Sequence, residues 1–471
     1  MSEITTISGA EPDKSLYVKL SVGKKLSYGM MDGVDNFCWN MVSSFLMVFL
    51  TERFLIPIGV VSTMFLVCKF WDAINDPIIG MLADRTRTKW GRYRPWIAVF
   101  AVPLFVCSCL TFWPHPEWAL SSKIIYAYAT YFILVLLYTC VSMNVITLCS
   151  VLTQDPAERG SLAAYRTMCG FLSGTIVAVA VSYLEPVLNE KYPGMGYLIL
   201  MAVMSIIAIP VLLIGVSKQR EIVPPSEKIK IPMRTLLKWT FKNSEFLKVS
   251  VLFLLMGAAF YGCLSIEYYW FIFVAKSSEL YGLINLITLV PIVLGSIICE
   301  PLSKKCRGKK TLVIWGYVVY GLINLVSYFV FQHTLNPVLI TVSFVLAVFS
   351  VIIGMSMLYG LLPDTVEYGE LISGGIRMDG FLTTLSSFWN KVGITIGTAG
   401  CGWILAAAGY QEGAAEQSAH VIDVLCAVRW LLPVGASVIM VLIAMTYKLD
   451  FKRFDEVVVA LQNMRKEPQN P

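Results

Sequence analysis

The chain has 471 residues, of which 57% are hydrophobic and only 14% are charged, and its formal net charge at pH 7 is +6. Soluble domains contain about 25% charged residues, so this composition excludes an ordinary soluble protein and indicates an integral membrane protein. The basic residues occur in short runs between apolar segments, as in loops that face anionic lipid. We therefore expect no nucleic-acid partner.

The first twenty residues are polar and contain no apolar core of a signal peptide, which predicts a short cytoplasmic tail. The 12 cysteines are scattered, mostly within apolar segments, without metal-ligand spacing. This pattern favours packing over disulfides or metal binding. No nucleophile elbow, phosphate-binding loop, HExxH or glycine-rich cofactor turn is present. We expect neither an enzyme activity nor a cofactor other than a coupling cation.

A helix that crosses a bilayer needs about 20 mostly apolar residues. The chain contains twelve segments of this kind, separated by polar turns, and we predict an all-α membrane protein. The predicted spans are 28–51, 59–83, 95–113, 123–151, 162–184, 196–217, 246–274, 280–302, 311–331, 337–362, 380–409 and 425–447.

The longest polar stretch follows the sixth segment and divides the chain into two halves of six helices. The predicted organisation is a cytoplasmic tail, a first six-helix bundle, a central cytoplasmic loop, a second six-helix bundle and a second cytoplasmic tail, with bounds 1–24, 25–217, 218–245, 246–448 and 449–471.

Basic residues cluster in the loops after segments 2 and 8 and in the central loop, whereas the alternate loops have few. Cytoplasmic loops carry the excess of Lys and Arg, so both termini and the central loop should be cytoplasmic. Twelve helices in two halves, with matching basic loops, resemble the plan of a major facilitator transporter. In that plan two halves rock around a central site.

Asp72 and Asp76 lie four residues apart inside the second apolar segment, so they share one face of a helix. Ionised groups at that depth are costly and mark functional sites. Lys69 precedes Asp72 by three residues, so an ion pair between them is available. Carboxylate and amide oxygens suit Na⁺, and the same carboxylates can carry a proton. An Asp–Lys pair that only joins helices is the structural alternative.

Other segments also place polar side chains within apolar sequence. Aromatic rings beside such groups suit a sugar, which has apolar faces and hydroxyl groups, although single aromatic residues more often form interfacial belts. The three histidines fall in the loops predicted to face outward, which argues against a histidine proton relay. The polar and aromatic candidates are Asp32, Asp35, Asn36, Asn75, Thr139, Ser142, Asn144, Glu267, Tyr268, Trp389 and Lys391.

Five motifs together resemble the glycoside–pentoside–hexuronide:cation symporters, the family of melibiose permease. They are KLSYGMMD at 25–32, WDAINDP at 71–77, GMLADRTRTKWGRYRPW at 80–96, TQDPAER at 153–159 and PDTVEYG at 363–369. The resemblance extends from residue 25 to about residue 400. It implies a major facilitator fold in a bacterial cytoplasmic membrane that couples uptake of a sugar, glycoside or uronide to Na⁺ or H⁺.

The resemblance also assigns roles to residues. Asp72 and Asp76, with Asn75 between them, match the cation-site region of helix 2, and Thr139 matches a threonine near that cation. Lys391 matches a helix 11 lysine close to the same site. The predicted substrate site contains Asp32, Asp35, Asn36, Ser142, Asn144, Arg166, Tyr268, Trp389 and Lys391.

The chain departs from the family at helix 4, where Ser142-Met143-Asn144-Val145 lacks the proline and the carboxylate of melibiose permease. Losing an acidic group while keeping basic residues nearby would tolerate an anionic substrate such as a uronide. We also expect a cytoplasmic gate made by Asp84, Arg85, Asp364, Glu367 and Arg377, for which solvated loop charges are the alternative.

Two other functions fit the same fold. A lysolipid or other amphiphile carrier would show a groove open to the bilayer in place of a polar pocket. A non-transporting membrane sensor is less favoured, because no soluble domain is appended. Sequence leaves the sugar, the coupling ion and the oligomeric state open, and the fold can work as a monomer.

Overall fold

The computed structural model describes residues 18–153, 155–222, 232–306, 308–376 and 378–466. These residues are almost entirely helical, with one isolated bridge between Thr88 and Gly91. The first half contains α1 (Val22–Val48), a π-helical turn (Phe49–Arg53), α2 (Ile58–Arg85), α3 (Arg94–Thr111), α4 (Leu120–Leu152), α5 (Pro156–Lys191) and α6 (Gly196–Lys218).

The second half begins with α7 (Met233–Lys242), which leads into α8 (Ser244–Met256), a π-helical turn (Gly257–Tyr261) and α9 (Gly262–Phe273). The remaining helices are α10 (Ser278–Ile287), α11 (Leu289–Lys305), α12 (Lys309–Phe331), α13 (Pro337–Ile372), α14 (Asp379–Ala407), α15 (Ala419–Thr446) and α16 (Phe451–Lys466).

Each of the twelve predicted segments lies on helix, and the all-α fold class is confirmed. Two segments are interrupted: the π-helical turn separates α8 from α9, and Thr288 separates α10 from α11. Within the described residues, ten helical stretches are long and apolar enough to cross a membrane. Helices α1 and α14, which carry many of the polar candidates, are not among the ten. The count of twelve crossings and the sidedness of the termini stay predictions.

Polar side chains at four helix starts explain several of these boundaries. Asn243 accepts from the amide of Phe246 at α8, and Ser277 accepts from that of Leu280 at α10. Asn336 and Ser418 cap α13 and α15 in the same way. Each cap satisfies a backbone N–H that has no partner within its own helix.

The two stretches predicted as central loop and C-terminal tail contain helices α7 and α16. Both are short and rich in basic residues, so a composition that indicated a solvated loop did not reveal them. Their apolar residues recur with helical spacing, which allows each helix to lay one face against the second half. Helix α7 contacts α8 and α13, and α16 contacts α13.

Helix packing divides the molecule into two bundles. In the first, α1 packs on α5 and α6, and α3 packs on α4 and α6. In the second, α12 packs on α13 and α15, and α14 packs on α8.

The two bundles meet unevenly along their length. We call the end that carries the 86–93 loop and the start of α12 the basic end, and the other end the closed end. At the closed end α9 packs on α1 and α10 packs on α5. Towards the basic end, α8 packs instead on α13, α14 and α15, within its own bundle. The bundles are therefore joined at the closed end and along α2 and α14, whereas α8 makes its contacts within the second bundle.

Helix α14 approaches the α8–α9 rod closely enough to require glycine. A β-carbon at Gly393 would overlap the carbonyl oxygen of Leu254, and one at Gly397 would overlap that of Ala258. Because only glycine permits this backbone-to-backbone contact, α14 is seated firmly against its neighbour. Residues on this part of α14 are positioned by the second bundle as a whole.

Candidate functional site

The centre of the molecule holds a charge cluster that joins the two bundles. The Lys391 ammonium, on α14, lies 2.9 Å from Asp72 Oδ2 and also pairs with Asp76 Oδ2, both on α2. The helical spacing of Asp72 and Asp76 places both carboxylates on the face that meets α14. The sequence predicted these residues as one site, and the structure brings them together across the interface.

Polar groups from α2 and α4 complete the cluster on its inner side. The Thr139 hydroxyl lies 3.2 Å from Asp72 Oδ1 and 3.3 Å from Asp76 Oδ1, and the Asn75 amide donates to it at 3.2 Å. Asn75 Oδ1 is buried and has no hydrogen-bond partner. Three oxygen atoms, from Asp72, Asp76 and Thr139, therefore lie together beside the ammonium of Lys391. Oxygen donors of this kind suit a hard monovalent cation.

A small cavity adjoins this cluster between α1, α2 and α4. Trp39 and Tyr138 stack on one another at 5.4 Å along its wall. Lys69 also lines the cavity, buried, with its ammonium 5.2 Å from the centre of the Trp39 ring. The expected ion pair between Lys69 and Asp72 is not formed within 4.0 Å, because Lys391 from the other bundle takes the carboxylate.

Helix α1 turns two different polar faces to its neighbours. The face with Asp32, Asn36 and Asn40 meets the glycine-lined side of α5, and the Asn36 amide donates to Asp32 Oδ2 at 3.0 Å. Arg166 acts electrostatically on Asp32 from α5 without forming an ion pair within 4.0 Å. Asp35 lies on the other face, against α4, and is fully buried. Asp32 and Asp35 are neighbours in sequence that occupy distinct environments.

Contacts that sequence reasoning missed hold the two bundles together at the closed end. The Tyr410 hydroxyl donates to Glu52 Oε1 at 2.6 Å, and Thr51 and Tyr269 share a hydrogen bond of 2.7 Å. The Glu412 carboxylate accepts from the backbone amide of Ile58 at 2.7 Å. These polar residues lie at helix ends and in a turn, where no local pattern indicates which partner each contacts.

Comparison with known proteins identifies the fold family. The family model described as MFS/sugar transport protein matches residues 27–451, which is most of the chain. The chain belongs to the MFS/sugar transport protein family. The inner membrane symporter YicJ of Escherichia coli is 30% identical over 91% of this chain and 92% of its own length.

Other members of the MFS/sugar transport protein family match over similar lengths. An isoprimeverose transporter of Lactiplantibacillus pentosus is 28% identical over 85% of this chain and 83% of its own. A glucuronide carrier protein homolog of Escherichia coli is 28% identical over 94% and 96%. Among solved structures, a D-xylose–proton symporter superposes with a TM-score of 0.62 at 14% identity, covering 89% of this chain and 97% of its own. That last similarity establishes the fold alone.

Two aromatic residues that the sequence predicted for the substrate site do not line the cavity beside the charge cluster. Tyr268 is buried and packs edge-on against Phe45 and Tyr281 near the closed end. Trp389 lies on α14 beside Phe388. The stacked Trp39–Tyr138 pair is the aromatic wall that borders the charge cluster.

The residues predicted as a gate divide between the two bundles. Asp84 Oδ1 accepts from the Tyr93 hydroxyl at 2.6 Å, and burial together with this bond raises the pKa of Tyr93. Asp364 pairs with Lys309 at 2.7 Å inside the second bundle. Arg85 is exposed, Glu367 is half-buried, and Arg377 lies outside the described residues.

Glu221 is a further residue that the sequence did not single out. Its carboxylate accepts from the backbone amides of Arg92, Tyr93 and Arg94 at 2.8, 2.9 and 3.1 Å. A carboxylate at a helix start satisfies free N–H groups and complements the helix dipole. It fixes the start of α3 and so orders the basic loop that precedes this helix.

Proposed function

We propose that this protein moves a sugar or glycoside together with a coupling cation, Na⁺ or H⁺, by alternating access. The observation that carries the proposal is the bridge from Lys391 to Asp72 and Asp76. It is a charged site shared between the two bundles that must move relative to one another. Intramembrane charges of this kind mark ion pathways in transporters.

Charge balance supports a coupling role for the bridge. Two carboxylates and one ammonium leave one net negative charge, which a single monovalent cation neutralises. A cation held by Asp72, Asp76, Thr139 and the free oxygen of Asn75 competes with Lys391 for the negative charge of the same two carboxylates. Binding therefore weakens the tie between the bundles. Substrate affinity and cation affinity must then rise together, because coupling between sites is reciprocal.

The substrate site that we propose lies between α1, α4 and α5, next to the cation site. Asp32, Asn36 and Asn40 supply hydrogen-bonding groups from α1, and the Trp39–Tyr138 stack offers ring faces to a sugar. The loss of an acidic group at Ser142, with Arg166 and Lys69 nearby, supports an anionic glycoside such as a uronide. A counterflow screen in which neutral glycosides exchange and uronides do not would rule out that preference.

The proposed orientation places both termini and the basic end in the cytoplasm of a bacterial inner membrane. It rests on the excess of Lys and Arg at that end. The closed end then faces outward, and the structure corresponds to an inward-open conformation. Labelling of single cysteines in the 112–119 and 86–93 loops of intact cells by an impermeant reagent tests it. Only the 112–119 loop should react from outside.

Asp76→Asn in proteoliposomes tests the coupling proposal directly. Wild type should concentrate its substrate when a Na⁺ or pH gradient is imposed, and Asp76→Asn should not. Asp455→Asn makes the same chemical change on the exposed side of α16 and should behave as wild type. Equal accumulation by Asp76→Asn and wild type would place the coupling ion elsewhere.

A further inference from the structure

Asp35 is a buried acid that the proposed cation site does not use. It has no exposed surface, and neither carboxylate oxygen has a hydrogen-bond partner. An ionised carboxylate is costly to bury unless a cation or several donors compensate it. This environment is unlike that of Asp72 and Asp76, which share the ammonium of Lys391.

The groups around Asp35 come from several helices. On α1 they are Asp32 and the Cys38 thiol, which is paired with Ser108 of α3 at 3.1 Å. On α4 they are Ser142 and Tyr138. The arginine of α5, Arg166, acts on Asp32, and the cysteines of α3, Cys107 and Cys109, face Cys38. Among these groups no basic side chain compensates Asp35.

A route connects Asp35 to the cavity beside the cation site. Cys38, one turn along α1, and Tyr138, its neighbour on α4, both line that cavity, together with Lys69 and Asp72 of α2. A proton leaving Asp35 therefore has a phenolic hydroxyl beside it and space for water beyond. The proton would pass to water in the cavity, leaving the carboxylate ionised.

Helix α1 is also linked to the movement of the bundles. At the closed end it holds the second bundle through the Thr51–Tyr269 hydrogen bond and the contact of Phe45 with Tyr268. Opening of the closed end breaks these contacts and frees α1 to shift against α4. We therefore expect Asp35 to be less shielded when the closed end is open.

We propose that Asp35 is a second ion-carrying site, one that takes up a proton when the closed end opens and α1 shifts, holds it while it is buried as in the conformation described here, and then releases it into the adjoining cavity. This inference rests on the proposed symport. It goes beyond it, because the carried proton is separate from the cation held between Asp72, Asp76 and Lys391. Transport would then move a proton in addition to that cation.

Asp35→Asn, a neutral side chain of nearly the same shape, tests the assignment in two assays. Counterflow needs no net proton release, so it should persist if Asp35 carries a proton, whereas the substrate-binding role that the sequence predicted for Asp35 would abolish it. A gradient of one pH unit supports about tenfold accumulation of substrate for each coupled proton. Asp35→Asn should lose this tenfold accumulation. Asp423→Asn, at an exposed position on α15, should retain it. Unchanged pH-driven accumulation, or a well-folded variant without counterflow, would overturn the proposal.

Infrared spectroscopy of the purified protein gives a readout that does not depend on transport. Wild type should show the carbonyl band of a protonated carboxyl group at neutral pH, and Asp35→Asn should lack that band. Absence of any such difference would overturn the proposal. If wild type itself accumulates nothing, the proposed symport fails, while the infrared band still decides whether Asp35 holds a proton.

Discussion

The two bundles differ in whether their buried charged side chains have partners of opposite charge. In the second bundle buried acids have close basic partners: Glu267 pairs with Arg429 at 2.9 Å and Asp364 with Lys309 at 2.7 Å. In the first bundle Asp35 and Lys69 are buried without an ion pair among the described residues. Glu185 of the first bundle pairs with Arg53 at 2.9 Å in the same way, so what distinguishes the first bundle is that it also holds buried charges without an ion pair.

This difference indicates a division of labour. Buried pairs that are mutually satisfied hold helices in place, whereas unpaired buried groups are tolerated where a ligand or ion completes them. We therefore place binding mainly in the first bundle. The second bundle supplies a rigid body and one mobile charge, Lys391.

The largest expected effect comes from breaking a satisfied pair. Arg429→Leu strands the Glu267 carboxylate, which should cost about 3–5 kcal/mol of unfolding free energy. Thermal unfolding in detergent measures the loss. The matched control is Glu416→Gln in the exposed Lys276–Glu416 pair, worth about 1 kcal/mol or less. Equal, small effects in the two variants would show that the buried pair does not hold the second bundle together.

Removing the Lys391 ammonium, which Asp72 and Asp76 share, should change the cation affinity more than the free energy of unfolding. Lys391→Met leaves Asp72 and Asp76 facing each other without an ammonium, so cation affinity should rise by about tenfold, while substrate accumulation fails. Calorimetric titration with Na⁺ measures the affinity. Lys309→Met removes a lysine paired inside the second bundle and should leave the affinity unchanged. A lower affinity in Lys391→Met would contradict competition between lysine and cation.

Removing the unpaired buried charge of Lys69 should raise the free energy of unfolding, whereas removing Arg429 lowers it. Lys69→Met removes a costly ammonium and should raise the unfolding free energy by about 1 kcal/mol, while it lowers transport. Lys123→Met, which removes a buried lysine held only over the Phe54 ring, is the control and should retain transport. Loss of stability in Lys69→Met would mean that the residue is structural.

The smallest expected effect is at the closed end. Tyr410→Phe removes one hydrogen bond to Glu52, worth about 1 kcal/mol, and should shift the population about fivefold towards opening at that end. Distances between spin labels on the tips of α2 and α14 report the shift. Tyr192→Phe, at an exposed position on the same end, should leave the distances as they are.

Sequence predicted the parts of this molecule that depend on local pattern. Apolar length located all twelve helical segments, and helical spacing placed Asp72 beside Asp76. The resemblance to a symporter family added Lys391 and Thr139. Local pattern did not predict contacts between residues that are distant in sequence. Lys69 is near Asp72 in sequence, but Lys391 forms the ion pair with the Asp72 carboxylate.

Contacts between residues distant in sequence also explain why the positions of Tyr268 and Glu221 were not predicted. Tyr268 has polar neighbours in sequence, yet its ring packs among Phe45 and Tyr281 because helices α1 and α10 meet it there. Glu221 finds three amides more than 120 residues earlier in the chain. Contacts of this kind follow from how helices assemble and leave no trace in spacing or composition.

The close seating of α14 at Gly393 and Gly397 has a consequence for how strictly ion and substrate move together. A lysine on a loosely packed helix could withdraw from a cation by a small local shift, and the ion would then slip through alone. Lys391 stands two residues before a backbone contact that allows no such shift. The backbone that carries Lys391 therefore moves with the second bundle. We expect the tightness of ion coupling to depend on two glycines that lie outside the charge cluster.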